Sequence, residues 1–189
     1  MATNTMAPIC SPETLTDRRR DITTDKAYED ASALAAPEVM AEESGRVTLV
    51  AHAGNVIKTM DLYVSNALAT WPWLEPALKR AGPLLLLPTG WNGDGAPMID
   101  RASIRAAVAA LAQFMKAGSS IPQWTPTNKG GVQLDWHERG MDLEIAFEPD
   151  DLAGYAVFED RQRNLPAWDG PVDVHLMQLR AIFERLLVG

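Results

Sequence analysis

Carboxylates are the side chains whose type and spacing hold most of the chemistry in this sequence. Asp142, Glu144 and Glu148 recur at even steps along 141–148, and Asp135 lies in the alternating run before it. Alternate residues of an extended chain share a face, so these acids line one side of a sheet. Two carboxylates two residues apart on a strand could serve as general acid and base. The same row could steer a basic partner or mimic a phosphate backbone. A merely solvated strand face is the simplest account of the pattern. Residues 128–160 carry nine acidic and two basic groups in a chain of net charge -8. Partner contact through Asp135, Asp142, Glu144 and Glu148 is therefore the expected role, with no catalytic residue assigned.

Other chemistry finds weaker support. None of His52, His137 and His175 has a second His, Cys or carboxylate three or four residues on in a metal-ligand pattern. His137-Glu138 falls in an expected hairpin loop, so neither a metal centre nor a cofactor is expected. Cys10 is the single cysteine, which excludes an internal disulfide and a cysteine-based zinc site. No Gly-x-Ser-x-Gly motif is present, and Ser119-Ser120 simply follows a helix end. The glycine-rich stretch Gly90-Trp91-Asn92-Gly93-Asp94-Gly95 precedes a helix, as phosphate cradles do. It lacks the Walker lysine and the dinucleotide spacing, and Asp94 and Asp100 would repel an anion. Its expected role is a structural turn in which Gly90, Gly93 and Gly95 meet a demand for positive φ, with Gly93 and Gly95 at positions where a Cβ would clash and Trp91 packed as an anchor. A small enzyme whose site unites Asp94 with His137 is the alternative.

The elements that position these residues follow from periodicity. Residues 1–45 are poor in aromatics and read as a flexible acidic tail that could fold on a partner, with a frayed helix over 24–34. A single α+β domain spans 46–189. Val47–Val50 reads as a short strand. Ile57, Met60, Val64, Ala67, Leu68 and Trp71 recur at helical steps, so a helix is expected up to Pro72. A helical turn over 74–81 stops at Gly82-Pro83. Asp100 caps a helix with the stripe Ile104, Ala107, Val108, Leu111, Phe114 and Met115, closed by Gly118. A three- to four-stranded antiparallel meander follows, over Gln123–Thr125, Val132–Trp136, Met141–Glu148 and Gly154–Phe158. Its hairpin loop is His137–Gly140, with Gly140 left-handed. A last helix begins at Pro171 and carries Val172, Leu176, Leu179, Ile182, Phe183 and Leu186 on one face. The helices pack on one sheet face and leave the acidic one to water or a partner. Six tryptophans in this domain suit both packing and interface anchoring.

The motif Leu87-Pro88-x-Gly90-Trp91-Asn92-Gly93-x-Gly95-Ala96, a helix, and then Gly131-Val132-x-Leu134-x-Trp136 resembles a widespread family of small uncharacterised bacterial proteins. Their common form is a Gly-Trp-Asp-Gly-x-Gly-Ala turn, a helix and a Leu-Glu-Trp strand; Asn92 and Asp135 are mild departures. The resemblance covers about residues 84–160 and implies a fold module, with association to accessory or defence-like settings.

No basic patch invites nucleic acid, and no apolar run reaches the ~18 residues that span a bilayer. No secretory signal is read at the start, so a cytoplasmic location is expected. The functional expectation is a non-enzymatic protein–protein interaction module that is antitoxin-like, immunity-like or an inhibitor. A homodimeric assembly protein is a further alternative.

Overall fold

A computed structural model describes residues 36–42, 45–64, 71–163 and 165–185. Among the described residues the fold is α+β, built from two antiparallel sheets and three α-helices. The first sheet has the order β1 (Glu38–Ala41), β2 (Arg46–Ala53), β3 (Val56–Tyr63). A helical segment follows: α1 (Leu74–Ala81), a 3-10 turn (Gly82–Leu86) and α2 (Arg101–Phe114). The second sheet is a meander of five strands in sequence order: β4 (Gln123–Pro126), β5 (Val132–Glu138), β6 (Met141–Glu148), β7 (Asp151–Asp160) and β8 (Leu165–Pro171). Helix α3 (Leu176–Arg185) closes the described chain.

The expected helix over 57–71 is corrected. Residues 56–63 are strand β3, and 65–70 lie outside the described residues. Ile57 and Met60 fit a three-residue step, but the same segment carries β-branched Val56, Ile57 and Thr59. Gly54-Asn55 turns β2 directly into β3, with Gly54 at φ 56°. Met60 and Leu62 point into the core, while Thr59 and Tyr63 are exposed. A strand also stands within the stretch expected as tail. Glu38–Ala41 pairs with Val47–Val50 as β1; the frayed helix over 24–34 lies outside the described residues.

The sheet is larger than expected. Strand β8 pairs with β7 and contains Pro171, so Pro171 ends a strand and does not open the last helix. That helix starts at Leu176, one turn after the buried Val172. Trp168 belongs to β8, stacked between Phe158 at 5.6 Å and His175 at 4.3 Å.

Helix α2 obeys its sequence signals at one end. Asp100 accepts from the Ala102 amide at 2.8 Å, a side-chain N-cap. At the other end the helix stops at Phe114, and Gly118 lies in the turn beyond with φ 87°. The apolar stripe Ile104, Ala107, Val108, Leu111 and Phe114 is buried where α2 packs on β5, β6 and β7 of the meander. One buried cluster joins both sheets and all three helices. Trp73, Trp124 and Trp136 are fully buried in it, and Trp91 is 8 % exposed.

Two ion pairs tie the elements. Asp61 of β3 holds Arg46 of β2 at 2.8 Å and accepts from Thr48. Asp160, 2 % exposed at the end of β7, holds Arg185 of α3 at 2.5 Å and accepts the amides of Gln162 and Arg163. The Arg185 hydrogen bond, helped by these amides, draws the Asp160 carboxyl below its ordinary range. The Arg46 and Thr48 hydrogen bonds do the same for Asp61.

Candidate functional site

Strict alternation along β6 sends Met141, Leu143, Ile145 and Phe147 into the core and Asp142, Glu144, Ala146 and Glu148 to the other face. The register of the meander adds neighbours to that second face. Asp135 lies directly opposite Glu144, and His137 opposite Asp142. Across the β6–β7 ladder, Asp142 faces Glu159 and Glu144 faces Val157. The anticipated row of carboxylates thus stands on one face, away from α2.

The four acids do not have equal settings. Asp135 is 8 % exposed; its carboxylate accepts from Thr125 Oγ1 and Gln133 Nε2, each at 2.7 Å. Asp142 accepts from His137 Nδ1 and pairs with Arg161, both at 2.8 Å. Arg161 also reaches Glu159 at 3.5 Å. Glu148 stands six residues from Asp142, roughly 20 Å along the strand, and accepts from Thr127 Oγ1 at 2.7 Å. Glu144 sits half-buried at the centre, beside Asp135.

His137 changes place relative to the sequence reading. The hairpin loop is only Arg139-Gly140, with φ 52° and 73°, and His137 and Glu138 belong to β5. Two successive positive φ angles make the tight turn whose twist matches the flanking strands. Arg139 adopts this conformation without being glycine, so the loop is shorter than the expected four residues. With His137 on the strand, one ligand atom each from Asp135, His137 and Glu144 lie within 4.8 Å of one another. Spacing rules along one segment miss this trio. It needs an i, i+2 step on β5 and a cross-strand partner on β6, and only the register supplies the second.

The glycine loop lies elsewhere. Asn92 Oδ1 accepts the amides of Asp94 and Ala96 at 3.0 Å, and its amide nitrogen donates to Asn128 Oδ1. The Gly90 amide closes the loop on the Ala96 carbonyl at 2.7 Å. Trp91 packs inward and donates from Nε1 to the Pro97 carbonyl. Gly90, Gly93 and Gly95 all have φ near +80°, yet a Cβ on any of them would meet open space. Their requirement is torsional, and the anticipated clash is absent. Trp136, the strand end of the motif, is buried and donates to the Ser120 carbonyl at 3.0 Å.

Asp94 and His137 do not converge. The loop docks at the β4–β5 turn through Asn128, at the start of β5, whereas His137 stands near the other end of that strand, roughly 17 Å from Val132. A depression of about 230 Å³ opens on the helix side, lined by Ala106, Ala110, Phe147, Leu152 and Leu176 with Gln113 and Asp173. It contains none of the anticipated site residues. No helix among the described residues is long and apolar enough to cross a membrane. Comparisons of the chain with family models, with curated proteins and with solved structures gave no match.

Proposed function

We propose that the chain is a non-enzymatic binding module that docks a basic partner protein on the acidic face of its five-stranded sheet. The observation that carries this reading is the shared face of Asp142, Glu144 and Glu159 on adjacent strands, with Asp135 opposite Glu144 on the next strand and Arg161 as the countercharge at one end. Like charges placed side by side raise the local potential. A cationic partner would be steered to a face on which acidic groups outnumber basic ones. An antitoxin-like, immunity-like or inhibitor role in a bacterial accessory system suits such a module and fits the resemblance of the Gly90–Ala96 turn.

The test is affinity capture from a native host with the full chain as bait, across a salt series. Capture of a basic protein that weakens as salt rises, and that is lost in Asp142→Lys/Glu144→Lys, supports the reading. Capture that survives the double charge reversal removes the sheet face from it.

A further inference from the structure

We infer that Asp135, His137 and Glu144 form a binding site for a first-row divalent cation of the Zn²⁺ or Mn²⁺ class. This assignment concerns the purified chain alone and does not rest on partner docking.

The donor set has the right chemistry. One imidazole and two carboxylates suit borderline divalent ions and are unsuited to soft ions that prefer thiolate. The spacing is close to what such an ion needs. Ligand atoms bound at ~2.0–2.2 Å to a common ion lie roughly 3–4 Å apart. The present separations are within 4.8 Å.

Two further features, one of them outside the trio, point the same way. First, His137 Nδ1 is held at 2.8 Å by Asp142, which is itself anchored by Arg161 at 2.8 Å. A carboxylate on one ring nitrogen fixes the tautomer and leaves Nε2 as the basic ligand atom, an arrangement common behind metal-bound histidines. Second, Asp135 is nine-tenths buried with its carboxylate fixed by Thr125 and Gln133. Its charge stands directly opposite that of Glu144 across the ladder. A cation between them would be attracted by both carboxylates at once. Three protein ligands on a sheet face leave further coordination positions for water or for a donor from another molecule.

Full-length protein stripped with a chelator would be titrated with Zn²⁺ and Mn²⁺ by calorimetry, and with Co²⁺ by visible absorption. A saturable one-to-one isotherm, d–d bands from Co²⁺ and a metal-dependent rise in Tm are expected. His137→Gln and Glu144→Gln should each weaken binding at least tenfold. Asp135→Asn should do the same; if it misfolds, the two half-exposed ligands decide. The sharper comparison is Asp142→Asn with Glu159→Gln. Both remove one charge from the same face, but only Asp142 holds the ligating imidazole. Asp142→Asn should cost about 10–100-fold, and Glu159→Gln only a few-fold. Absence of saturable binding overturns the assignment. So does binding indifferent to His137→Gln and Glu144→Gln, or equal losses from Asp142→Asn and Glu159→Gln, which would reduce the site to diffuse attraction.

Discussion

Asn92 makes three hydrogen bonds: it accepts the amides of Asp94 and Ala96 and donates to the side chain of Asn128 on the β4–β5 turn. An aspartate at the same position would retain the two acceptor bonds and lose the donor to Asn128. Asn92→Ala removes all of them and should cost about 1–2 kcal/mol, readable in urea melts. Trp91→Ala should cost about 3–5 kcal/mol, because the ring is buried and its loss leaves a cavity. Gly95→Ala should cost about 1–2 kcal/mol from torsion alone, since the space beside it is empty. Asp94, exposed in the same loop, should accept alanine within about ±0.5 kcal/mol. If Asp94→Ala instead abolished partner capture with stability intact, the loop would have to be counted as part of the binding surface. At this scale the sequence was informative. The turn, its tryptophan anchor and the Asp100 cap were all legible, because each is a local demand of the backbone.

Among the elements, β3 is the instructive case. Ile57 and Met60 were both assigned to the apolar stripe of a helix, whereas in the strand Met60 is 1 % and Ile57 62 % exposed. Met60→Glu should therefore cost at least about 3 kcal/mol and Ile57→Glu less than about 0.5, compared by thermal denaturation. Equal damage from the two would restore the helix. Periodicity failed here because a short apolar pattern fits both periods, and Gly54-Asn55 was the cue that should have broken the tie. Strands β5 and β6 were legible because apolar and polar residues alternate along each. Strand β8 was not, since Pro166, Gly170 and Pro171 suggest a loop, and only pairing with β7 makes the segment extended. The trio at Asp135, His137 and Glu144 was hidden for a related reason. The sequence showed which acids share a face but not which residue stands opposite which.

Across the whole molecule, acid should act through two carboxyls that clamp elements together. Asp160 joins β7 to α3 through Arg185, and Asp61 joins β3 to β2 through Arg46. Both titrate below the ordinary value of 3.8. Their contribution is thus fully present above that value and is lost as pH falls through their lowered folded values. A Tm series from neutral pH down to about pH 3 should decline at its acid end. The decline should be shallower in Asp160→Asn, which starts from a lower Tm because the amide no longer pairs with Arg185. An unchanged slope in that variant would assign the acid sensitivity to other groups.

The pairing of β1 with β2 bears on where the chain can be cut. Residue 45 looks like a natural place to trim, yet a chain beginning at Arg46 would lack Glu38–Ala41 and leave Val47–Val50 with unsatisfied amides and carbonyls on a bare sheet edge. It would also lose Pro37, which fills the space beside Gly82 so closely that a Cβ there would meet it at 2.4 Å. Bare edges recruit other strands. The trimmed protein should therefore self-associate in a concentration-dependent way by light scattering, while a version beginning at residue 36 stays dispersed; equal behaviour of the two would mean that β1 is dispensable.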